Sequence, residues 1–474
     1  MLHQTALSSG VPQIRYVDAP RFGPGAQRVN AFIEPMLKCL TDPLTDEEKH
    51  KGRYVPPAQK RVLFEGTLQE AQAFYQQTKP ILLTGRAPIA RYTDGLPIIV
   101  PTQELVEEML AGTSHKPDEV IALQSDRGGQ DSSSRPTGVM SGGVERIRPK
   151  GTVVQFTPMN WTATVEKVAI NAVMAGCKPE YLPVVLAIAE SGCTTATTTH
   201  WSQWVCVSGP ISKEIGQNIG TGMLDCGNPA NSTIGRTYQL MAINLGGAIP
   251  GVNRMNAIGS PFNRGGMCFA ENLDGLPKGW KGLNEEMGYR KDESVAMIVC
   301  EPAVCCQGSQ FAPSAYRGLQ GRGYGGMAAR LGVEGKEGPH NWMEYLIPGL
   351  WSNRADTPMT FLMAPRMAQD LKDYGFNSKQ EVLDWLWKKS FIPVKEYRKY
   401  GWYDAKTSGG IGIQQTSGKR WKDLPDDYMV PALGQKAFDN CIIVGGGPDE
   451  VCLELGGRGF FSGIYPVYSI DAWR

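Results

Sequence analysis

The sequence predicts an α/β protein: multi-layer, with a mixed or parallel sheet, flanking helices and an extended N-terminal arm. Three observations carry this reading. Segments with apolar residues at helical spacing alternate with short continuous apolar runs, such as Trp204 to Val207 and Ser294 to Cys300; the first pattern suits helices covered on one side, the second strands covered on both. Glycine and proline punctuate the joins. At 474 residues the chain is long enough to bury a large core.

Residues 1–60 are rich in Pro, Gly and charge, broken only by an apolar stretch from Ala31 to Leu40. Such a segment builds no core of its own and reads as an arm. Its Phe22, Phe32, Ile33, Met36, Leu37 and Leu40 need cover from the main body or a second subunit, so a homo-oligomer with the arm in its interface is expected.

Residues 61–205 read as a helix-rich α/β portion. Arg61 to Phe64 is strand-like, Thr67 can cap the helix LQEAQAFYQQ, and Thr102 can cap a helix ending at Leu110, with Glu104 suiting its positive end. Tyr92 to Thr102 reads as a turn followed by a short strand, and 125–150 as a polar surface loop. The informative stretch is Trp161 to Trp201. Val165, Val168, Ala169, Ala172 and Val173 mark a helix, Gly176 suits its left-handed terminus, and Pro179 and Glu180 open the next helix. Cys177 falls in the link, where the free N–H groups of a helix start favour thiolate.

Residues 206–474 read as a second α/β portion with glycine-rich loops. Gly220 to Asn228 ends in an N-cap and an N1 proline, and the helix behind it carries Ala230, Ile234, Tyr238, Met241 and Leu245 on one face before Gly246-Gly247. Later come the strand Ser294 to Cys300, the glycine-rich stretch 308–338, a helix from Arg366 to Tyr374, another from Lys379 to Phe391 behind Ser378, and a strand from Asn440 to Val444 opening into Gly445-Gly446-Gly447-Pro448.

With 48 basic and 47 acidic side chains, no net field steers the chain to nucleic acid or an anionic membrane. No apolar stretch is long enough for a membrane span, and the first residues lack a secretion signal, so a cytoplasmic protein is expected. Eleven cysteines scattered over so long a chain suit free thiols in a reducing compartment.

The stretches Thr93 to Thr102 and Asn171 to Ala189 resemble the TDGLP(I/V)VPPT-like and NAVMAGCxPEYLPVVLAA-like motifs of a largely uncharacterised bacterial family. The likeness continues through GTLQEAQAFYQQ, NSTIGRTYQLMAINLGGA, MCFAENLDG, EGPHN and IIVGGGP, covering roughly residues 62–450. That family is associated with UGSC-motif thiol or selenol proteins, similar in that motif to the catalytic subunit of glycine-reductase-like selenoenzymes. The resemblance therefore implies thiol redox chemistry and a small thiol or selenol protein as partner. This chain departs from the family at Pro365-Arg366-Met367-Ala368, where a histidine of a PEHA-like step is missing, and in its Cys300 to Cys306 segment.

Four groups of residues can carry chemistry. Cys177 is either a buried link residue or a nucleophile. Cys193 and His200 form a thiol and base pair only if strand alternation does not set them on opposite faces, and His340 is a further acid or base. Gly222, Asn228, Asn231, Ser232, Thr233 and Arg236 surround a helix start suited to a carboxylate or phosphate. Cys300, Cys305 and Cys306 suit a dithiol cycle or a soft metal site for iron, cobalt or zinc, although their spacing matches no zinc pattern. The function expected is a cysteine-dependent enzyme, redox or lyase, acting on a small anionic or electrophilic molecule. The alternatives are a metal-dependent hydratase or lyase, and a substrate-binding subunit of a thiol or selenol reductase.

Overall fold

The computed structural model describes residues 15, 17, 25–49, 61–125, 149–193, 202–252, 254, 266–301, 359–396, 414, 417–431, 433, 437, 440–448, 452–456 and 467–474. The chain divides into two compact units, Met1–Gly66 and Thr67–Arg474. In the first, helix α1 (Gly25–Thr41) runs through the apolar stretch of the arm, which is thus helical there rather than extended. Arg15 bonds to Glu48 and to the carbonyls of Asp42 and Pro43, and holds the Glu48 carboxyl at about 2. Residues 61–64, expected as strand-like, are not in a strand, and Leu63 stays exposed.

The second unit begins with helix α2 (Leu68–Tyr75), closed by a capping box between Thr67 and Glu70. The hairpin β1 (Thr78–Pro80) and β2 (Pro88–Ala90) follows, then α3 (Gln103–Leu110), capped by Thr102. Helix α4 (Val165–Ala175) ends as its sequence requires: Gly176 has φ 89°, and the amides of Gly176 and Cys177 bond back to Val173 and Ala172. A single turn, Pro179–Tyr181, leads to α5 (Leu182–Ala189), which is buried all round.

The centre of this unit is two mixed sheets. The strands β3 (Ser202–Ser208), β4 (Met267–Ala270), β5 (Val295–Glu301) and β11 (Val467–Ser469) lie in the order β11-β5-β3-β4, with only β3 and β4 parallel. The strands β6 (Thr360–Met363), β9 (Cys441–Val444) and β10 (Cys452–Gly456) lie in the order β10-β6-β9, with β6 and β9 parallel. A small pair, β7 (Phe391–Pro393) with β8 (Met429–Pro431), stands apart; Phe391, expected in a helix, belongs to it.

Side-chain alternation sorts the cores into layers. Val205, Val207, Ala296 and Ile298 pack on α4, α5 and helix α6 (Pro229–Asn244). The opposite neighbours, Trp204, Cys206, Phe269 and Met297, pack on Leu362, Cys441 and Ile443 of the other sheet. That sheet in turn sends Phe361, Met363, Ile442 and Val444 to helices α8 (Pro365–Asp373) and α9 (Lys379–Lys389), the short α7 (Leu283–Glu286) lying between in sequence. The order is helix, sheet, sheet, helix, an α/β fold whose strands are covered on both faces, which is why they read as unbroken apolar runs. One core joins residues from Val106 to Trp473, and Trp473 itself is fully buried. Among the described residues no helix is long and apolar enough to cross a membrane.

Helix α6 lies unusually close to β4. A methyl group on Gly235 would sit 2.9 Å from the Cys268 nitrogen and 3.1 Å from the Gly266 carbonyl carbon, both backbone atoms that cannot step aside. Gly→Ala inside a helix ordinarily gains roughly 0.5–1 kcal/mol. Here the expected sign is reversed: Gly235→Ala destabilises by about 1–3 kcal/mol through overpacking, read as a lowered urea midpoint at unchanged slope. A raised midpoint would show that α6 can move away from the sheet.

Candidate functional site

Three segments distant in sequence meet on the outer face of α6. The loop Tyr92 to Ile99 is tied to it by Arg236, whose Nε and Nη2 each donate to the Asp94 carboxylate at 2.9 Å, with Nη2 also donating to the Pro97 carbonyl at 2.7 Å. The pair is largely buried and bidentate, the strong geometry for a guanidinium. Asn244 Nδ2 donates to the Tyr92 carbonyl and to Asn171 Oδ1 of α4, and the Ile99 amide bonds to the Met174 carbonyl. Into this junction comes Cys177, its Sγ 3.2 Å from Thr237 Oγ1.

The Cys177 thiol does not have the environment its position in the chain suggested. Its own amide closes α4, and its side chain turns to α6 instead of the start of the next helix. Burial pushes the thiol up to about 11, with hydrogen bonds from the Thr237 and Thr233 side chains offsetting part of the effect. Burial therefore outweighs the helix-start effect expected to favour thiolate. Thr233 and Thr237 lie one turn apart on α6 with Arg236 beside them, so thiol, hydroxyls and guanidinium share one helix face.

The residues expected to form an anion pocket divide into two groups. Asn228 Oδ1 accepts from the Asn231 amide, and Asn228 Nδ2 donates to the Gly216 carbonyl. Asn231 Nδ2 donates to the carbonyls of Asn218 and Met223, while the Ser232 amide bonds to the Asn228 carbonyl. Gly222, at φ 70°, turns the loop against Asp225. These residues cap α6 with the chain's own groups. Two buried acceptors nearby, Asn231 Oδ1 and Gln217 Oε1, have no partner among the described residues, a surplus that does not favour an anion at the helix start. Thr233 and Arg236 belong instead to the Cys177 face.

Cys193 is fully buried at φ 45°, burial raising its thiol well above the ordinary range, and its amide bonds to Ser191 Oγ. Its suggested partner His200, along with Cys305, Cys306 and His340, lies outside the described residues. Cys300 stands on β5 opposite Gln203. Among the described residues no group of three or more His, Cys, Asp or Glu is placed to hold a metal ion.

Sequence reasoning missed a second constellation, at the carboxyl ends of β3 and β4. Lys379 Nζ, fully buried, lies 2.7 Å from Glu271 Oε1 and 3.2 Å from Glu286 Oε2. Glu271 Oε2 accepts from Ser208 Oγ and from the Leu283 amide, both at 2.7 Å. Asn284 joins through its amide to Ser208 Oγ and through Nδ2 to the carbonyls of Arg290, Lys291 and Glu293. Burial works against the Lys379 charge, but Glu271 and Glu286 outweigh it and hold the ammonium above the usual lysine range. The one sequence clue was Ala270-Glu271-Asn272 at the end of an apolar strand, the usual address of polar groups in such sheets.

Compared with known protein families, curated proteins and solved structures, the chain matches none.

Two measurements check these geometries. At about pH 7 an uncharged alkylating reagent is expected to modify the exposed Cys226 at least about tenfold faster than Cys177, because little of the Cys177 thiol is ionised there; equal rates would contradict the half-buried, protonated thiol. Lys379→Met strands two carboxylates and is expected to lower unfolding free energy by about 3–5 kcal/mol at neutral pH, a loss that chemical denaturation would show.

Proposed function

We propose that the chain is a cysteine-dependent enzyme in which Cys177 acts on a small anionic or electrophilic substrate at the outer face of α6. The observation supporting this is the meeting of a thiol, two hydroxyls and a guanidinium at the junction of three segments. Arg236 is the anion-recognising group. It already grips a carboxylate, Asp94, through a fork, and a substrate carboxylate of the same geometry can take the place of Asp94.

Burial leaves the Cys177 thiol protonated at neutral pH, so the step proposed is addition of S–H across a polarised double bond, the proton leaving sulfur as the S–C bond forms. In that step sulfur bonds to one carbon, the former S–H proton goes to the other, and the double bond becomes single; elimination is the same step reversed. Neither direction consumes an external oxidant, so the step is of the lyase type.

The test uses a pair of electrophiles, one carrying a carboxylate and one its methyl ester. At about pH 7 the carboxylate form is expected to label Cys177 at least about tenfold faster than the ester, a preference of the size one charged hydrogen bond provides. The preference should vanish in Arg236→Gln. The double variant Asp94→Asn with Arg236→Gln repeats the measurement without an unpaired buried carboxylate. Equal labelling by both reagents in the unaltered chain would overturn the anionic-substrate reading, and a Cys177→Ser chain with undiminished turnover of any substrate found would remove the thiol from it.

A further inference from the structure

The Lys379 cluster holds two carboxylates against one ammonium, so one negative charge is in excess when both are ionised. The two carboxylates are not equivalent. Glu271 is fully enclosed and fully bonded, by Lys379, Ser208 Oγ and the Leu283 amide. Glu286 makes one contact with Lys379 at 3.2 Å, and its side chain keeps 26% of its exposure, so water is one rotation away. It belongs to the four-residue helix α7, whose first residues are held by the same cluster: the Leu283 amide by Glu271 and the Asn284 amide by Ser208.

We propose that Glu286 is a proton-operated latch: protonated, its carboxyl stays in the cluster and α7 lies closed over the carboxyl ends of β3 and β4; ionised, it turns out to water and α7 loosens. The groups facing it set the direction. Lys379 of α9 attracts the ionised form, Glu271 behind β4 repels it, and Lys281 just before α7 attracts it from outside. The thiol of Cys441 on β9 lies within reach of the Glu286 charge and is kept protonated by burial. Burial is the largest influence on Glu286 and disfavours its charge, leaving the carboxyl at about 6 against an ordinary value of 4.5. A carboxyl raised in the closed form stabilises that form fully below the ordinary value, and the advantage is lost as pH rises through about 6. The interval between the two values corresponds to a shift of up to about 30-fold toward the open form.

Hydrogen exchange of peptides covering residues 282–289, expressed as protection relative to the intrinsic rate at each pH, reads the latch in the full chain. Protection of the Leu283 and Asn284 amides is expected to fall by about eightfold between about pH 5 and about pH 7.5, while peptides from α5 keep theirs. In Glu286→Gln, protection at both pH values should match the low-pH value of the unaltered chain. Protection that is the same at both pH values in the unaltered chain, or a pH dependence that survives in Glu286→Gln, would overturn the proposal. The unaltered chain alone decides the matter if the variant folds poorly.

Discussion

The two halves of the layered unit are joined at one buried ion pair. Lys379 opens α9, on the outer layer of one sheet, while Glu271 closes β4, in the other. An ammonium in the first turn of a helix faces the positive end of the dipole, and a buried one has also lost its water. Both disadvantages disappear only in the arrangement that brings Glu271 within 2.7 Å. A pair of this kind adds little net stability compared with apolar residues of the same shape. Its effect is to penalise every other register of α9 against the sheets. The Asn272 amide bonds to the Val444 carbonyl one residue away from Glu271, so backbone and side chains fix the same junction.

The candidate site depends on a different constraint, the close seating of α6. Gly235 lets the helix touch β4, and Gly246 does the same for the Thr157 carbonyl near its other end. With one side of the helix fixed in this way and its start capped by Asn228, the side bearing Thr233, Arg236 and Thr237 has a fixed aspect. Arg236 then positions the Asp94 loop, and that loop helps enclose Cys177. The burial that gives the thiol its neighbours also keeps it protonated.

What could be read from sequence was what is decided within a few residues. The caps at Thr67, Thr102, Asn228 and Ser378 and the glycine terminus at Gly176 all use bonds spanning three to five residues, and all stand where composition placed them. The apolar runs of β3, β5 and β9 were legible because both faces of each strand are covered. Arg61 to Phe64 has a similar apolar character but is not in a strand, because strand formation depends on pairing, which is not a local property. Lys379 and Glu271 are 108 residues apart, and beyond the apolar strand that ends at Glu271 nothing near either distinguishes it from a surface charge. A related limit holds at the start of α6: Asn, Ser and Gly before a helix attract an anion or cap the helix with equal economy of residues, and only the fold shows that the Asn228 and Asn231 groups bond within the chain.

Burial disfavours the charged form at both Cys177 and Glu286, yet the consequences separate cleanly with pH. A thiol at about 11 stays protonated throughout the neutral range, and its small ionised fraction rises about tenfold per pH unit without a break. A carboxyl at about 6 changes state inside that range. The two sites lie on different layers: Cys177 against α6, and Glu286 where the sheets join α9. A bend near pH 6 in the reactivity of Cys177 therefore cannot come from its own ionisation. If the bend were lost in Glu286→Gln, it would report that the state of the Lys379 cluster is felt across the four-stranded sheet, through β4, the strand that Gly235 presses against on one side and Glu271 terminates on the other.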